Sequence, residues 1–272
     1  MTATADTVLA HSVSGDGPPL LLLNGGLMSY AAWEPLASSL AASCRLVRCD
    51  FRGQLLSPGD APRTLSGHAA DVLRLLDALE IPSAHVAGVS FGALVGLMLA
   101  AEAPARVRSL IAMNATDRVT PEMTARGKPA REAAIAGDGG RLLDLVSQTT
   151  WSPEFRAAQA PALAARRQAV GLLPRAWFAG VAQLMASLED LDLTALLPRI
   201  TCPTLVVGGE ADVTFPIEHS RNLVAGIAGA RLVVIPQGSH GVVLERSADA
   251  VDLIVNFLRE IEATQASPAD SS

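Results

Sequence analysis

The chain has 272 residues, of which 50% are hydrophobic, and a formal net charge of -6. This length allows one sizeable core, and the acidic balance without a basic run argues against nucleic acid or an anionic membrane surface as a partner. The three cysteines (Cys44, Cys49 and Cys202) are too scattered for a disulfide framework or a zinc site. Because the sequence shows no HExxH motif, no Cys/His cluster and no nucleotide-binding loop, neither a metal nor a cofactor is expected.

The first seventeen residues lack the basic and apolar regions of a secretory signal. The longest uncharged run, 86–101, is shorter than the roughly 18 to 20 residues that a membrane helix needs. We therefore expect a soluble, cytoplasmic protein with no membrane partner. A homodimer is an open alternative.

Short apolar runs alternate with helical patterns along the chain. The runs that predict buried strands are 19–24, 44–50, 83–90, 107–115, 204–212 and 230–240, with a weaker leading strand at 7–13. Helical spacing predicts helices at 31–43, 66–81, 91–104 and about 245–262, before a frayed tail at 263–272. This alternation indicates an α/β fold with a mostly parallel central sheet flanked by helices.

The alternation breaks between Asp117 and Leu197, where the pattern is helical or loop-like. Trp177, Val181, Leu184 and Leu188 recur there at helical spacing. We expect residues 118–197 to form an inserted helical cap, a mobile lid, on a core made of 1–117 and 198–272. Aromatic residues of such a segment usually belong to the core, but Trp177 is a candidate for the wall of a pocket.

Four polar or glycine-rich segments follow predicted strands: Ser90, Asp212, His240 and "NGG" at 24–26. In an open parallel sheet, ligands bind at the carboxyl ends of the strands, so one edge would collect all four. A serine between a strand and a helix needs a tight turn, and glycines on both sides in "GVSFG" (88–92) allow the close approach of neighbouring segments. Because a free serine is a weak nucleophile, it needs a histidine base and a carboxylate that orients the histidine.

These segments resemble those of the α/β-hydrolase family over nearly the whole chain. "GVSFG" matches GxSxG, "LLLNGGLMSYAAW" resembles the oxyanion-loop segment, and "LPRITCPTLVVGGEAD" and "GSH" resemble the segments that carry the acid and the histidine. The resemblance implies that Ser90 is the nucleophile, His240 the base and Asp212 the orienting acid. It also implies that the backbone N–H groups of Gly26 and Phe91 form the oxyanion hole.

Three features depart from the family's usual pattern. Asn24 replaces a histidine, Gln54 and Leu55 replace His-Gly in "DFRGQLLSP", and the leading hairpin is short. Near the oxyanion loop, Asn24, Gly25, Leu27 and Trp33 are candidate substrate-binding residues, together with Trp177. For Trp33, a place in the hydrophobic core is an equally good explanation.

Several of these residues also have an ordinary structural explanation or a rival. A lone serine in an apolar run is usually structural, and Glu210 is a rival to Asp212 as the acid. The other histidines (His11, His68, His85 and His219) are expected to be surface or capping residues.

The sequence thus predicts a serine hydrolase that cleaves an uncharged carboxylic ester or lactone through an acyl-enzyme. The alternatives are an acyltransferase, a C–C bond hydrolase or perhydrolase of the same fold, and a ligand-binding protein that has lost turnover. An arginine of the insertion, such as Arg118, Arg126 or Arg175, could instead bind a substrate carboxylate.

Overall fold

The computed structural model describes residues 9–57 and 59–266. Within them, seven strands form one sheet in the order β1-β3-β2-β4-β5-β6-β7. The strands are β1 (His11–Ser14), β2 (Pro19–Leu23), β3 (Arg45–Cys49), β4 (Ala84–Val89), β5 (Val107–Met113), β6 (Thr204–Gly209) and β7 (Arg231–Ile235). β1 runs antiparallel to β3, and all other neighbouring strands are parallel.

Helices cover both faces of this sheet. They are α1 (Glu34–Ala41), α2 (Leu65–Ala78), α3 (Phe91–Glu102), α9 (Ile217–Gly226), α10 (Val242–Glu245) and α11 (Ser247–Ala266). The leucines of β2 show why an unbroken apolar run forms a strand here. Leu21 and Leu23 pack with α2 and α3, whereas Leu20 and Leu22 pack with α1 and α11. Since side chains alternate along a strand, a strand buried on both faces must be apolar throughout.

Five described helices lie between β5 and β6: α4 (Pro121–Ala136), α5 (Gly139–Thr150), α6 (Pro153–Ala158), α7 (Ala160–Gly171) and α8 (Arg175–Ala186). We call them the inserted helices. They share a small apolar cluster of their own, built around Leu142, Phe178 and Val181. Among the described residues no single helix is long and apolar enough to cross a membrane, although α7 and α8 meet such a test of length and composition as a pair bent by 108°.

All six strongly apolar runs form strands, so the predicted α/β fold is confirmed. The boundaries differ where a strand leaves the sheet: β6 ends at Gly209 and β7 at Ile235, because the following residues turn into loops. α11 continues to Ala266, so the predicted fraying from residue 263 is wrong for 263–266, where Thr264 still bonds the Glu260 carbonyl. Residues 7–8 of the predicted first strand and 267–272 of the predicted tail lie outside the described residues.

Candidate active site

Ser90 lies in a strained turn between β4 and α3. Its φ of 52° and ψ of -119° are unusual for a residue with a side chain. A Cβ atom on Gly88 would come within 2.5 Å of the Gly92 carbonyl, and one on Gly92 within 2.3 Å of the Leu23 carbonyl oxygen. The two glycines of "GVSFG" therefore allow β2, β4 and α3 to meet closely enough to hold this turn.

The structure brings Ser90, His240 and Asp212 into one hydrogen-bonded chain. Ser90 Oγ lies 2.9 Å from His240 Nε2, and His240 Nδ1 lies 2.8 Å from Asp212 Oδ2. The three residues follow β4, β7 and β6, so the parallel strands deliver them to the same edge of the sheet. The arrangement can transfer a proton from the serine to the histidine.

The Asp212 carboxylate is almost fully buried but well supplied with donors. Oδ1 accepts hydrogen bonds from the backbone N–H groups of Thr214 (2.8 Å) and Phe215 (2.9 Å). Burial opposes ionisation of Asp212, but the charge of His240 and the hydrogen bonds outweigh it and lower the pKa of the carboxyl below its usual value. An ionised Asp212 favours the His240 tautomer with the proton on Nδ1, which leaves Nε2 to accept from Ser90.

Asn114 is a site residue that the sequence reasoning missed. It follows β5 with a φ of 49°, and its Nδ2 donates to Asp212 Oδ2 (2.9 Å) and to the Ser239 carbonyl (3.2 Å). The available signal was a polar residue at the end of a strand that reaches the same sheet edge. Asn114 ties the acid to the loop that carries His240.

Glu210, the rival acid, lies away from His240. Its Oε2 accepts a hydrogen bond from the backbone N–H of Gln237 at 3.0 Å, and the residue is exposed. Its carboxylate therefore holds the loop after β7 and does not orient the histidine.

Gly26 and Phe91, the expected oxyanion donors, are neighbours. A Cβ atom on Gly26 would lie 3.9 Å from Phe91 Cβ, and both residues line the same cavity as Ser90. Neither backbone N–H donates to a partner among the described residues. Two unused N–H groups beside a nucleophile can receive the negative charge that develops on a carbonyl oxygen.

A network of buried amide side chains supports the loop after β2, residues 24–27, which we call the oxyanion loop. Asn24 donates to Asp50 and to Gln54, both at 3.1 Å, and accepts from Trp33 Nε1 at 2.8 Å. Gln54 Nε2 in turn donates to the carbonyls of Gly25 (2.8 Å) and Gly26 (3.3 Å).

The expectation that Asn24 and Trp33 bind substrate is corrected by this network. Both residues are 0% exposed and do not line the cavity. The reason is that the polar atoms of both side chains are engaged inside the protein. Gly25 and Leu27, the other candidates from this segment, do line the cavity.

A cavity of about 1120 Å³ lies between the strand ends and the inserted helices. Val181, Leu184, Met185 and Leu188 form part of its apolar wall. Trp177, expected in that wall, lies outside the lining: its ring packs on Phe178 at 5.0 Å, within the cluster of the inserted helices. Helical spacing identified the right helix, but Trp177 packs where α8 meets its neighbours.

Of the three arginines considered as partners for a substrate carboxylate, only Arg126 lines the cavity. Arg118 pairs with Asp117 at 3.0 Å and Arg175 bonds the Ala136 carbonyl at 2.9 Å, and neither lines the cavity. Arg126 does line it and donates to the Val213 carbonyl. Arg166, which the sequence analysis did not single out, lines it as well.

Two of the histidines that were expected to be surface or capping residues are buried. His68 is 0% exposed, with its ring edge against Phe51 and Phe91, and His85 is 0% exposed between Ser109 (2.8 Å) and Glu262 (2.9 Å). Neither histidine forms a hydrogen bond with Ser90. His219 lies in α9, as expected, and its Nδ1 bonds Asp117 at 2.6 Å.

The sequence matches the family model of the alpha/beta hydrolase fold over residues 18–247. It is 32% identical to a putative carbamate hydrolase RutD of Variovorax paradoxus (strain S110), over 94% of this chain and 97% of the relative. It is 30% identical to a 2-hydroxymuconate semialdehyde hydrolase of Pseudomonas sp. (strain CF600), over 92% and 90%. The crystal structure of the enol-lactonase from Burkholderia xenovorans LB400 superimposes with a TM-score of 0.82 at 27% identity, over 92% of this chain and 96% of that one. The chain therefore belongs to the α/β hydrolase fold family.

Proposed function

We propose that the protein is a serine hydrolase that cleaves a carboxylic ester or lactone through an acyl-enzyme on Ser90. The observation that carries the proposal is the continuous chain of hydrogen bonds from Ser90 through His240 to Asp212, at the wall of a large cavity. The relatives described above are named as hydrolases of a carbamate, a semialdehyde and an enol-lactone, which supports hydrolysis at a carbonyl carbon.

In the proposed reaction, Ser90 Oγ attacks the carbonyl carbon while its proton moves to His240 Nε2. The negative charge that forms on the carbonyl oxygen is held by the N–H groups of Gly26 and Phe91. His240 then gives the proton to the leaving alcohol oxygen as the carbon–oxygen bond breaks. A water molecule next loses a proton to His240 and attacks the acyl-enzyme, and the proton returns to Ser90 as the acid leaves.

The inserted helices are proposed to act as a lid, with residues 118–197 as its extent. Residues of α4, α5, α7 and α8 face the loops that carry Ser90 and His240 across the cavity. An apolar wall of this kind favours uncharged acyl groups of short or medium length, because each buried methylene contributes about 0.8 kcal/mol whereas a buried carboxylate needs a partner.

A second candidate is hydrolysis of a C–C bond next to a carbonyl. It is favoured by the 30% identity to the 2-hydroxymuconate semialdehyde hydrolase over 92% of this chain. The same triad would then protonate a carbon leaving group instead of an oxygen.

Ser90→Ala tests the proposal directly. We expect the purified variant to lose about a thousandfold or more in kcat against a panel of esters and lactones, because water alone cannot replace the activated hydroxyl. Asp212→Asn should lose a comparable factor, since an amide no longer fixes the His240 tautomer. The measurement is steady-state kinetics, with a thermal melt of each variant to show that it is folded.

Glu210→Gln is the matched control for Asp212→Asn, because it also turns a carboxylate into an amide on the same loop. It should change kcat less than threefold. A folded Ser90→Ala protein with near-normal turnover would overturn the proposal, and a larger loss in Glu210→Gln than in Asp212→Asn would overturn the choice of acid. Cleavage of a 1,3-diketone into a carboxylic acid and a ketone, with no ester or lactone cleaved, would favour the second candidate.

A further inference from the structure

Arg166 extends from α7 into the cavity and touches the oxyanion loop. Its Nη2 donates to the carbonyl of Leu27 at 3.0 Å, and Leu27 directly follows Gly26. Both Arg166 and Leu27 belong to the cavity lining, together with Ser90. A guanidinium group therefore lies in the same chamber as the proposed nucleophile.

Arg166 lacks the counter-ion that its neighbours have. Arg131, also in the lining, pairs with Glu189 at 2.7 Å, and Arg167 pairs with Asp144 at 2.8 Å. No carboxylate of the described residues pairs with Arg166, and burial lowers the pKa of its guanidinium below the usual value. The side chain still reaches the solvent of the cavity, since the residue is exposed.

A guanidinium group has five N–H donors in a planar fork that matches a carboxylate. Arg166 uses one donor on the Leu27 carbonyl, so the others are available to a ligand in the cavity. A carboxylate bound there would accept hydrogen bonds from a charged donor, and such charge-assisted hydrogen bonds are stronger than those between neutral groups. The acidic lining residues Glu132 and Asp190 do not pair with Arg166.

We propose that Arg166 binds a carboxylate on the acyl part of the substrate, so that the preferred ester or lactone derives from an acid with a second, free carboxyl group. This inference rests on the proposed function and replaces the expectation of an uncharged substrate. The free carboxylate belongs to the acyl part for a geometric reason. The leaving oxygen must approach His240, whose surroundings are the rings of Phe215 (5.2 Å between centroids) and Trp151, which packs on Gly241. These two rings give the leaving group an apolar contact surface. Another lining guanidinium, that of Arg126, lies on the Asp212 side and donates to the Val213 carbonyl, whereas Arg166 lies at the oxyanion loop.

Three alkyl esters separate the alternatives. Monoethyl adipate carries its charge on the acyl part, 4-acetoxybutanoate carries it on the alcohol, and ethyl hexanoate is uncharged. We expect kcat/KM of the wild type to be highest for monoethyl adipate. Arg166→Gln should lower that value by about 10- to 100-fold, as expected for the loss of a hydrogen-bonded charge pair, with the change mainly in KM, and should alter the other two values less than threefold.

Arg167→Gln is the matched control, because Arg167 is the next residue of α7 and lies outside the cavity lining. It should leave all three values within twofold. Arg166→Lys should recover part of the preference, since it keeps the charge without the fork. If Arg166→Gln lowers kcat/KM equally for all three esters, Arg166 only holds α7 against the oxyanion loop. If the wild type prefers 4-acetoxybutanoate, the anion belongs to the alcohol part of the substrate. Either result overturns the inference.

Binding of adipate to the Ser90→Ala protein, measured by calorimetry, tests the subsite without turnover. Adipate should bind, and Ser90→Ala with Arg166→Gln should bind it at least tenfold more weakly. Binding of adipate by a protein that cleaves none of the esters would uphold the subsite and overturn the proposed ester hydrolase. Cleavage of ethyl hexanoate in preference to monoethyl adipate, without adipate binding, would overturn the subsite alone.

Discussion

At the scale of single residues, Gln54 and Asn24 are two departures from the usual family sequence, and a hydrogen bond joins them. The Oε1 atom of Gln54 accepts from Asn24 at 3.1 Å and from the backbone N–H of Phe51 at 2.9 Å, while its Nε2 holds the carbonyls of Gly25 and Gly26. Asn24 and Gln54 are thus two departures from the usual family pattern that satisfy each other. Holding these carbonyls back also fixes the direction of the N–H groups in the loop, because the peptide unit is planar.

Gln54→Glu should disable the loop while changing one side chain atom. A carboxylate cannot donate, so it would repel the carbonyls of Gly25 and Gly26 and displace the proposed oxyanion donor. We expect kcat to fall about tenfold or more with a smaller change in KM, because the donor proposed for this loop would act on the transition state.

Gln168→Glu makes the same chemical change at an exposed position of α7 and serves as its control. Steady-state kinetics of both variants on one ester decide the matter. Unchanged kcat in a folded Gln54→Glu protein would show that the loop does not depend on this amide.

At the scale of elements, α2 carries an ionisable residue into the core. Its stripe of Val72, Leu75 and Leu76 packs on the sheet, and His68 lies on the same helix between the rings of Phe51 and Phe91. Burial, and next to it the charge of Arg52, lowers the pKa of His68 from 6.5 to about 4. The folded protein therefore keeps His68 neutral where the unfolded chain would protonate it.

Stability should for that reason decline in acid. Between pH 6.5 and about 4 the unfolded chain binds a proton at His68 that the folded protein does not, so the free energy of unfolding falls as the pH is lowered through this window. One such proton is worth about 1.4 kcal/mol per pH unit, or about 3 kcal/mol in all. Urea unfolding at several pH values should show a shallower decline in His68→Leu than in the wild type.

His11→Leu is the control, because His11 lies partly exposed in the edge strand β1. It should leave the slope unchanged. The same slope in His68→Leu as in the wild type would contradict the assignment of acid sensitivity to α2.

At the scale of the whole molecule, α8 joins the inserted helices to the core by a contact between two glycines. A Cβ atom on Gly180 would lie 2.2 Å from the carbonyl oxygen of Gly53. Gly53 has a φ of +94° and is the residue before Gln54, so this contact places the inserted helices against the segment that supports the oxyanion loop.

Gly180→Ala should push α8 away from the core. The added methyl group meets backbone, which cannot rotate aside, so we expect a loss of about 1–3 kcal/mol of stability, a lower kcat/KM and faster proteolysis within 121–186. The measurements are urea unfolding, ester kinetics and limited trypsin digestion.

Gly171→Ala is the matched control at the last residue of α7, where a Cβ atom meets nothing within 4 Å. It should be neutral or stabilising by up to about 1 kcal/mol, because alanine favours helix. Equal behaviour of the two variants would show that the contact at Gly53 does not hold the inserted helices.

The sequence by itself determined the α/β fold and the edge of the sheet at which the site would lie. Strands buried on both faces must be continuously apolar, and parallel strands all end on one side, so residues that follow them, such as Ser90, Asp212 and His240, are delivered together by topology. The role of the glycines on both sides of Ser90 could also be predicted, because backbone segments that approach so closely leave no room for a Cβ atom.

Only the tertiary structure decided which side chains face the cavity. Trp33 and Asn24 are adjacent to the oxyanion loop in sequence, yet they point inward because each satisfies the other's polar group. Asn114 and Arg166 are distant in sequence from the residues that they contact, Asp212 and Leu27, and no local period encodes such contacts. Orientation towards a cavity depends on how the inserted helices pack on the core, and that packing is set by long-range contacts such as Gly180 on Gly53.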